Sequence, residues 1–462
     1  MILLGLFITL SIGWLFLDAI NLDAKLFEKL GLSFIISSGI QTLFFFAIAE
    51  QSNNAAPRLY WITSAVLLVG LFLLKKYIRG SGPNSRFKSA ESQSPLNLLG
   101  QLALIGVVAL FMIISVYSIY TPVYVTDALA LYDFRAKVMF LTGTLNSMHE
   151  VNNWMSYPPF TSLVHLFIRF LGSDNPHIFY TLMYLSFALV FYAHLNKYTT
   201  RTVSAIGTFA MYSSPIVLWQ SRQPLTNLPY AIFLCSSIMY LLWAFSNRKV
   251  NLPPLLISAL CLGLTSWVRI TDPFWLVPFF VTSLLLFIRK EFLLMAIFIF
   301  ISSSIRNVWL DHVARYSIID IVRSSQSVIS NIVSTPSSPA SPIANPIAEP
   351  DPLLSRLSNP AVTAFAFFWP YFMDAVKPTI LVFAPFIFIE SFWFKNKSQI
   401  ILLSMISLLF LSLWAGTVFA SQTFFYWKEL GNAVSRLSGL FVPLMWFYVF
   451  RSPFWKQFKL LQ

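Results

Sequence analysis

The sequence predicts an all-α fold, a polytopic helical bundle embedded in a membrane, and three observations predict it. Of the 462 residues, 57% are hydrophobic, 17% aromatic and only 11% charged. A soluble domain of that length could not build a polar surface from so few charges. Apolar runs of roughly 17 to 25 residues recur along the chain, long enough to cross a hydrocarbon layer of ~30 Å as helices. Lys and Arg residues gather in the short connections on alternate sides of those runs. Lipid offers no hydrogen-bond partners, so each spanning backbone must satisfy its own polar groups, as an α-helix does.

Thirteen spans are expected, near 2–18, 31–49, 60–75, 97–119, 178–195, 203–219, 227–245, 254–270, 273–289, 291–309, 378–394, 400–419 and 437–450. They divide the chain into N-terminal spans (1–120), a loop with amphipathic helices (121–177), central spans (178–309), a Pro/Ser-rich loop (310–377) and C-terminal spans (378–462). One bundle without a soluble domain is expected. Residues 1 to 16 carry no basic n-region and no small-residue cleavage site, which makes them a retained first span.

With the N-terminus outside, 18 of the 31 Lys and Arg residues fall in inner connections, among them Lys25, Lys29, Lys75, Arg86, Lys88, Lys197, Arg248 and Lys397. Cationic loops stay cytoplasmic, so residues 121–177 are expected on the extracytoplasmic face of a cell membrane. The formal charge of +13 suits this topology and contact with anionic membrane lipids. No basic block suggests nucleic acid. Cys235 and Cys261 fall inside spans, and the five histidines show no i,i+4 pairing, so neither a disulfide framework nor a metal centre is expected from them.

Prolines at 336, 339, 342, 346, 350 and 352 favour an extended path over 334–352, either a spacer or part of a lid. The apolar stretch 361–372 is too short to span and is edged by Asp374 and Lys377, which predicts an interfacial or re-entrant segment.

The charged stretch YVTDALALYDFRAKVMF, 124–140, follows 23 uncharged residues, 96–118. Its apolar positions interleave with Asp133, Arg135 and Lys137 as in a helix lying on the membrane surface. Taken singly, Asp127 reads as a helix N-cap and Asp133 with Lys137 as an i,i+4 ion pair. Taken together with SYPPF at 156–160, the charges read differently. Arg222, Arg269, Asp272, Arg306, Lys428, Glu429 and Arg436 all fall near the same ends of their spans. Ionisable groups there are costly unless they pair or line a wet cavity; Arg269 and Asp272, three apart, could pair with each other. A carboxylate facing several cations suits transfer of a group away from a phosphate, with the carboxylate as base and Arg or Lys holding the leaving phosphate.

The run TDALALYDFRAKVMF followed by YPPFTSL resembles the first outer loop of the polyprenyl-phosphate-sugar-dependent glycosyltransferases of the GT-C fold, the class of the protein O-mannosyltransferases and the lipid A aminoarabinose transferase. Asp127-Ala128, Arg135-Ala136-Lys137 and Tyr157-Pro158-Pro159 match that pattern in order, and the similarity extends through PLTNLPYAIF (224–233) and GLTSWVRITDPF (263–274). The resemblance implies a GT-C-like fold and inverting transfer of a sugar from a polyprenyl phosphate to a glycan, lipid or protein acceptor outside the cytoplasm. It implies Asp127 as base, Asp133 as a second acid, and Arg135 and Lys137 on the donor phosphate, with Tyr157, Arg222, Asn227, Arg269, Asp272 and Arg436 lining the substrate site. Two positions depart from the pattern: Thr126 where Trp is common, and Asn227 where many members carry an acid. A neutral Asn weakens a divalent-metal site, so no cofactor is assigned. A transporter or flippase of lipid-linked sugars would share the spans and the aromatic content. Alternating access, however, needs polar sites near the midplane, and the mid-span positions are nearly uncharged.

Overall fold

A computed structural model describes residues 1–79, 96–151, 157–334, 360–393, 396–423 and 427–457, and among them every regular element is a helix. The first half contains α1 (Ile2–Ala19), α2 (Leu26–Ser52), α3 (Pro57–Arg79), α4 (Leu98–Tyr120), a π-helical turn (Ala128–Asp133), α5 (Phe134–Thr142), α6 (Ser147–Val151), α7 (Phe160–Phe170), α8 (His177–Leu195), α9 (Arg201–Tyr212) and α10 (Pro215–Ser221). There follow α11 (Asn227–Ala244), α12 (Leu252–Val268), α13 (Asp272–Ile288), α14 (Phe292–Ser334), α15 (Pro360–Trp393), α16 (Lys397–Thr423), α17 (Trp427–Ser438) and α18 (Phe441–Phe450). The proline-rich stretch from 335, the connection holding Arg86 and Lys88, and the side chains of Asp272, Lys428 and Glu429 lie outside the described residues.

Among the described residues, ten helical segments are long and apolar enough to cross a membrane. The chain is therefore a multi-pass helical membrane protein. Ten of the thirteen expected runs correspond to these segments, and two more form α12 and α13, each 17 residues long. The remaining run, 203–219, breaks between α9 and α10. Pro215 has no N–H to donate and holds Ser214 in an extended conformation, φ −63° and ψ 126°, which a continuous helix cannot accommodate. The stretch 361–372 does not form a segment of its own: it is continuous with the following span in the 34-residue α15, which keeps Pro370, Pro378 and Pro385 inside it. Neighbouring helices in lipid make such interior prolines tolerable.

The central helix is α11, with 94% of its spanning window buried, against 22% for the outward-facing α4. Small residues let the helices approach closely, as is usual in membrane bundles. A Cβ on Gly13 would sit 1.9 Å from the Ser33 carbonyl oxygen, and one on Gly31 2.3 Å from that of Ser186, so α1 on α2 and α2 on α8 need glycine there.

Charged groups gather at the two ends of the bundle. At one end Asp18 pairs with both Lys29 and Lys75, joining α1, α2 and α3. Beside them Glu28, fully buried, takes Lys197 and the Tyr240 hydroxyl, each at 2.8 Å. At the opposite end of α2, Glu50 accepts from His312 Nδ1 (2.7 Å) and Arg315 (3.0 Å), and His312 shares a 2.8 Å hydrogen bond with His149 of α6. That second end also holds Asp127.

Candidate functional site

Asp127 is not an N-cap. It lies in right-handed helical conformation, φ −61° and ψ −38°, with no capping bond from its side chain, and the π turn follows immediately. Such turns widen a helix by one residue per turn and are common where a side chain must be re-aimed. Here the Asp127 carboxylate meets the Arg436 guanidinium of α17, across 309 positions of sequence. The two side chains keep 45% and 33% of their surface, so the pair stands open to a ligand.

The segment 220–227, QSRQPLTN, runs from the end of α10 into α11 and touches every other part of the site. Gln220 Nε2 donates to the Arg436 backbone carbonyl at 2.7 Å, fixing the base of that side chain. Gln223 Nε2 donates to the Tyr124 hydroxyl at 2.9 Å, and the Arg222 guanidinium stands 5.4 Å from the centre of the Tyr117 ring. Thr226 shares a 3.4 Å hydrogen bond with the Tyr132 hydroxyl. Asn227 Oδ1 accepts from Arg269 at 3.3 Å, and Arg269 in turn lies 5.4 Å from the Tyr157 ring. The Tyr132 hydroxyl is buried within electrostatic reach of Tyr157, Arg269 and Asp127 together, and burial pushes its pKa up.

Six of the expected residues therefore share one place: Asp127, Arg436, Arg222, Asn227, Arg269 and Tyr157. Arg135 stands behind them, 1% exposed, and donates to the Tyr157 carbonyl at 3.2 Å. Burial draws its pKa below the usual guanidinium value. Lys137 is exposed. Asp133 turns away from Lys137 altogether. Both its oxygens accept from Arg169 of α7 at 2.9 Å, and His165 lies 3.5 Å off. Burial alone would raise the Asp133 pKa, but His165 and Arg169 outweigh it and hold the carboxyl below its ordinary value. Asp133 thus ties the π turn to α7.

Sequence reasoning missed Gln220, Gln223, Thr226, Tyr117, Tyr124 and Tyr132. For Gln220, Gln223 and Thr226 the signal was a dense polar run, QSRQ followed by TN, at the mouth of an apolar helix; Tyr124 and Tyr132 lie within a few residues of Asp127 and Asp133, and Tyr117 is an aromatic inside an uncharged span with no signal of its own. An apolar cleft of ≈ 650 Å³ lies elsewhere, between α1, α2 and α8, lined by residues such as Leu6, Trp14, Phe34 and Leu189. Comparison with family models, with curated proteins and with solved structures finds no match to this chain.

Proposed function

We propose that the protein is a membrane glycosyltransferase of GT-C-like fold, which moves a sugar from a polyprenyl phosphate onto an extracytoplasmic acceptor with inversion at the anomeric carbon. One observation carries this reading: a half-exposed carboxylate, Asp127, is set among Arg436, Arg222 and Arg269 and several tyrosines at one end of a membrane bundle. In the reaction an acceptor hydroxyl attacks the anomeric carbon, and Asp127 takes its proton. The bond from that carbon to the phosphate oxygen breaks, and the polyprenyl phosphate leaves with the electron pair, its growing charge met by arginine. Such a site suits this chemistry because the lipid donor arrives from the membrane and its headgroup reaches only the ends of the spans. The excess of Lys and Arg in the connections at the other end supports an extracytoplasmic position for this one.

The test is release of sugar-free polyprenyl phosphate when the reconstituted protein meets a labelled lipid extract from its own cells. Release by wild type, and none by Asp127→Asn, is the expected result. Release of equal size from both would refute the reading.

A further inference from the structure

Among the described arginines near Asp127, three already have a polar partner. Arg436 is held by Asp127, Arg269 by the Asn227 amide oxygen, and Arg135 is buried against the Tyr157 carbonyl. Arg222 has no carboxylate within ion-pair distance among the described residues, and its Nε is buried without a hydrogen-bond partner. A guanidinium cannot shed its proton, so a buried N–H of this kind calls for an acceptor.

The neighbouring Tyr124 supplies a second donor. Its hydroxyl oxygen accepts from Tyr117 at 3.1 Å and from Gln223 at 2.9 Å. A phenol has two acceptor positions and one O–H. With both acceptor positions filled, the Tyr124 proton must point elsewhere, and Tyr124 is 54% exposed. The Tyr117 hydrogen bond, then that of Gln223, then the charge of Arg222 draw the Tyr124 pKa down, which makes its O–H a stronger donor than an ordinary phenol.

We infer that Arg222 and the Tyr124 hydroxyl form the oxyanion site that receives the phosphate of the lipid donor. This rests on the proposed transfer, and it assigns the phosphate to α10 and the end of α4 instead of to the Arg135–Lys137 stretch. A phosphate oxygen would take the guanidinium from one side and the phenol from the other, charge-assisted contacts that a neutral alcohol cannot replace. The ring of Tyr117 holds the guanidinium in place by cation–π contact.

The experiment measures binding of farnesyl phosphate to the full chain in phosphatidylcholine nanodiscs, with farnesol, inorganic phosphate and phosphatidic acid as comparisons. Wild type should bind farnesyl phosphate at least tenfold more tightly than farnesol or inorganic phosphate. Arg222→Gln should remove at least tenfold of that preference, Arg222→Lys less, and Tyr124→Phe about threefold. Equal binding of farnesyl phosphate and farnesol by wild type would overturn the inference without recourse to any variant. Unchanged binding by Arg222→Gln would overturn it too, and displacement by phosphatidic acid at equal mole fraction would assign the site to bulk lipid headgroups. Normal sugar transfer by Arg222→Gln would sink this inference and leave the proposed function standing. Arg222-dependent phosphate binding by a protein that transfers no sugar would do the reverse.

Discussion

Replacing Asp127 by Asn keeps the shape of the side chain and removes its ability to accept a proton. The structural cost is small, because the pair with Arg436 is open to solvent on both sides, at 45% and 33% exposure. Ion pairs of that kind contribute ~0 to 1 kcal/mol. The chemical cost is large: loss of a general base lowers the rate by ~10²- to 10⁴-fold, about 3 to 5 kcal/mol of barrier at ~1.4 kcal/mol per decade. Asp133→Asn should show the opposite pattern. Its two oxygens meet Arg169 at 2.9 Å in a setting where the side chains are only 15% and 9% exposed. Breaking a buried pair costs ~3 to 5 kcal/mol; Arg169 retains Asp174 as a second partner, which reduces the expected loss to about 2 to 4 kcal/mol. The assay compares initial transfer rate with thermal unfolding in detergent for both variants. Transfer by Asp127→Asn within threefold of wild type, or a larger stability loss there than in Asp133→Asn, would refute the assignment of base and brace.

The support beneath Arg436 is testable by Gln220→Ala, which leaves its part-buried carbonyl with only the 3.4 Å bond from the Gly439 N–H at a cost of ~0.5 to 1.5 kcal/mol, and by Gly439→Ala, whose Cβ would sit 2.3 Å from Gln220 Nε2. Both should lower transfer more than they lower expression, and wild-type rates in both would remove Gln220 from the site. Burial first, then His312 and Arg135, push the His149 pKa down to about 3. The unfolded chain takes that proton near pH ~6.5 while the folded one refuses it, so this contribution is full above pH ~6.5 and is lost as pH falls toward the folded value, by up to ~1.4 kcal/mol per unit. His149→Phe should flatten the fall in unfolding temperature between pH 7 and 5; an unchanged slope counts against it. Leu141→Cys, 71% exposed at the Asp127 end, should react with an impermeant thiol reagent added outside, and Asn247→Cys should not. Cys235 and Cys261 are buried and give no background, so the reverse pattern would place the site in the cytoplasm.

Much of this was legible in the sequence, for identifiable reasons. Span positions follow from hydropathy because lipid admits no other backbone than one that satisfies itself. The failures have local causes. Pro215 cut a run that hydropathy alone reads as continuous, and the prolines of α15 joined to a span a stretch that length alone set apart. Asp127, Arg222, Arg269 and Arg436 were picked out because a charge at the mouth of an apolar helix is conspicuous, and Asn227 because it stands where the resembled pattern often carries an acid. Their partners were not legible, since Asp127 meets Arg436 across 309 positions and no periodicity encodes such a contact. The partner of Asp133 was not legible for the same reason: i,i+4 spacing offered Lys137, but the packing of the π turn on α7 brings Asp133 to Arg169, 36 positions away. The polar groups of 220–227 gained meaning only once α10 was seen to end beneath α17 and Tyr124.

The most direct test of sugar transfer from a polyprenyl phosphate is mass analysis of lipid-linked sugars and envelope glycans in cells lacking the protein, with and without the wild-type or Asp127→Asn gene restored. One polyprenyl-phosphate sugar should accumulate and one glycan should lose that same sugar, with wild type reversing both and Asp127→Asn reversing neither. Unchanged lipid-linked sugars with intact glycans, or full rescue by Asp127→Asn, would contradict it.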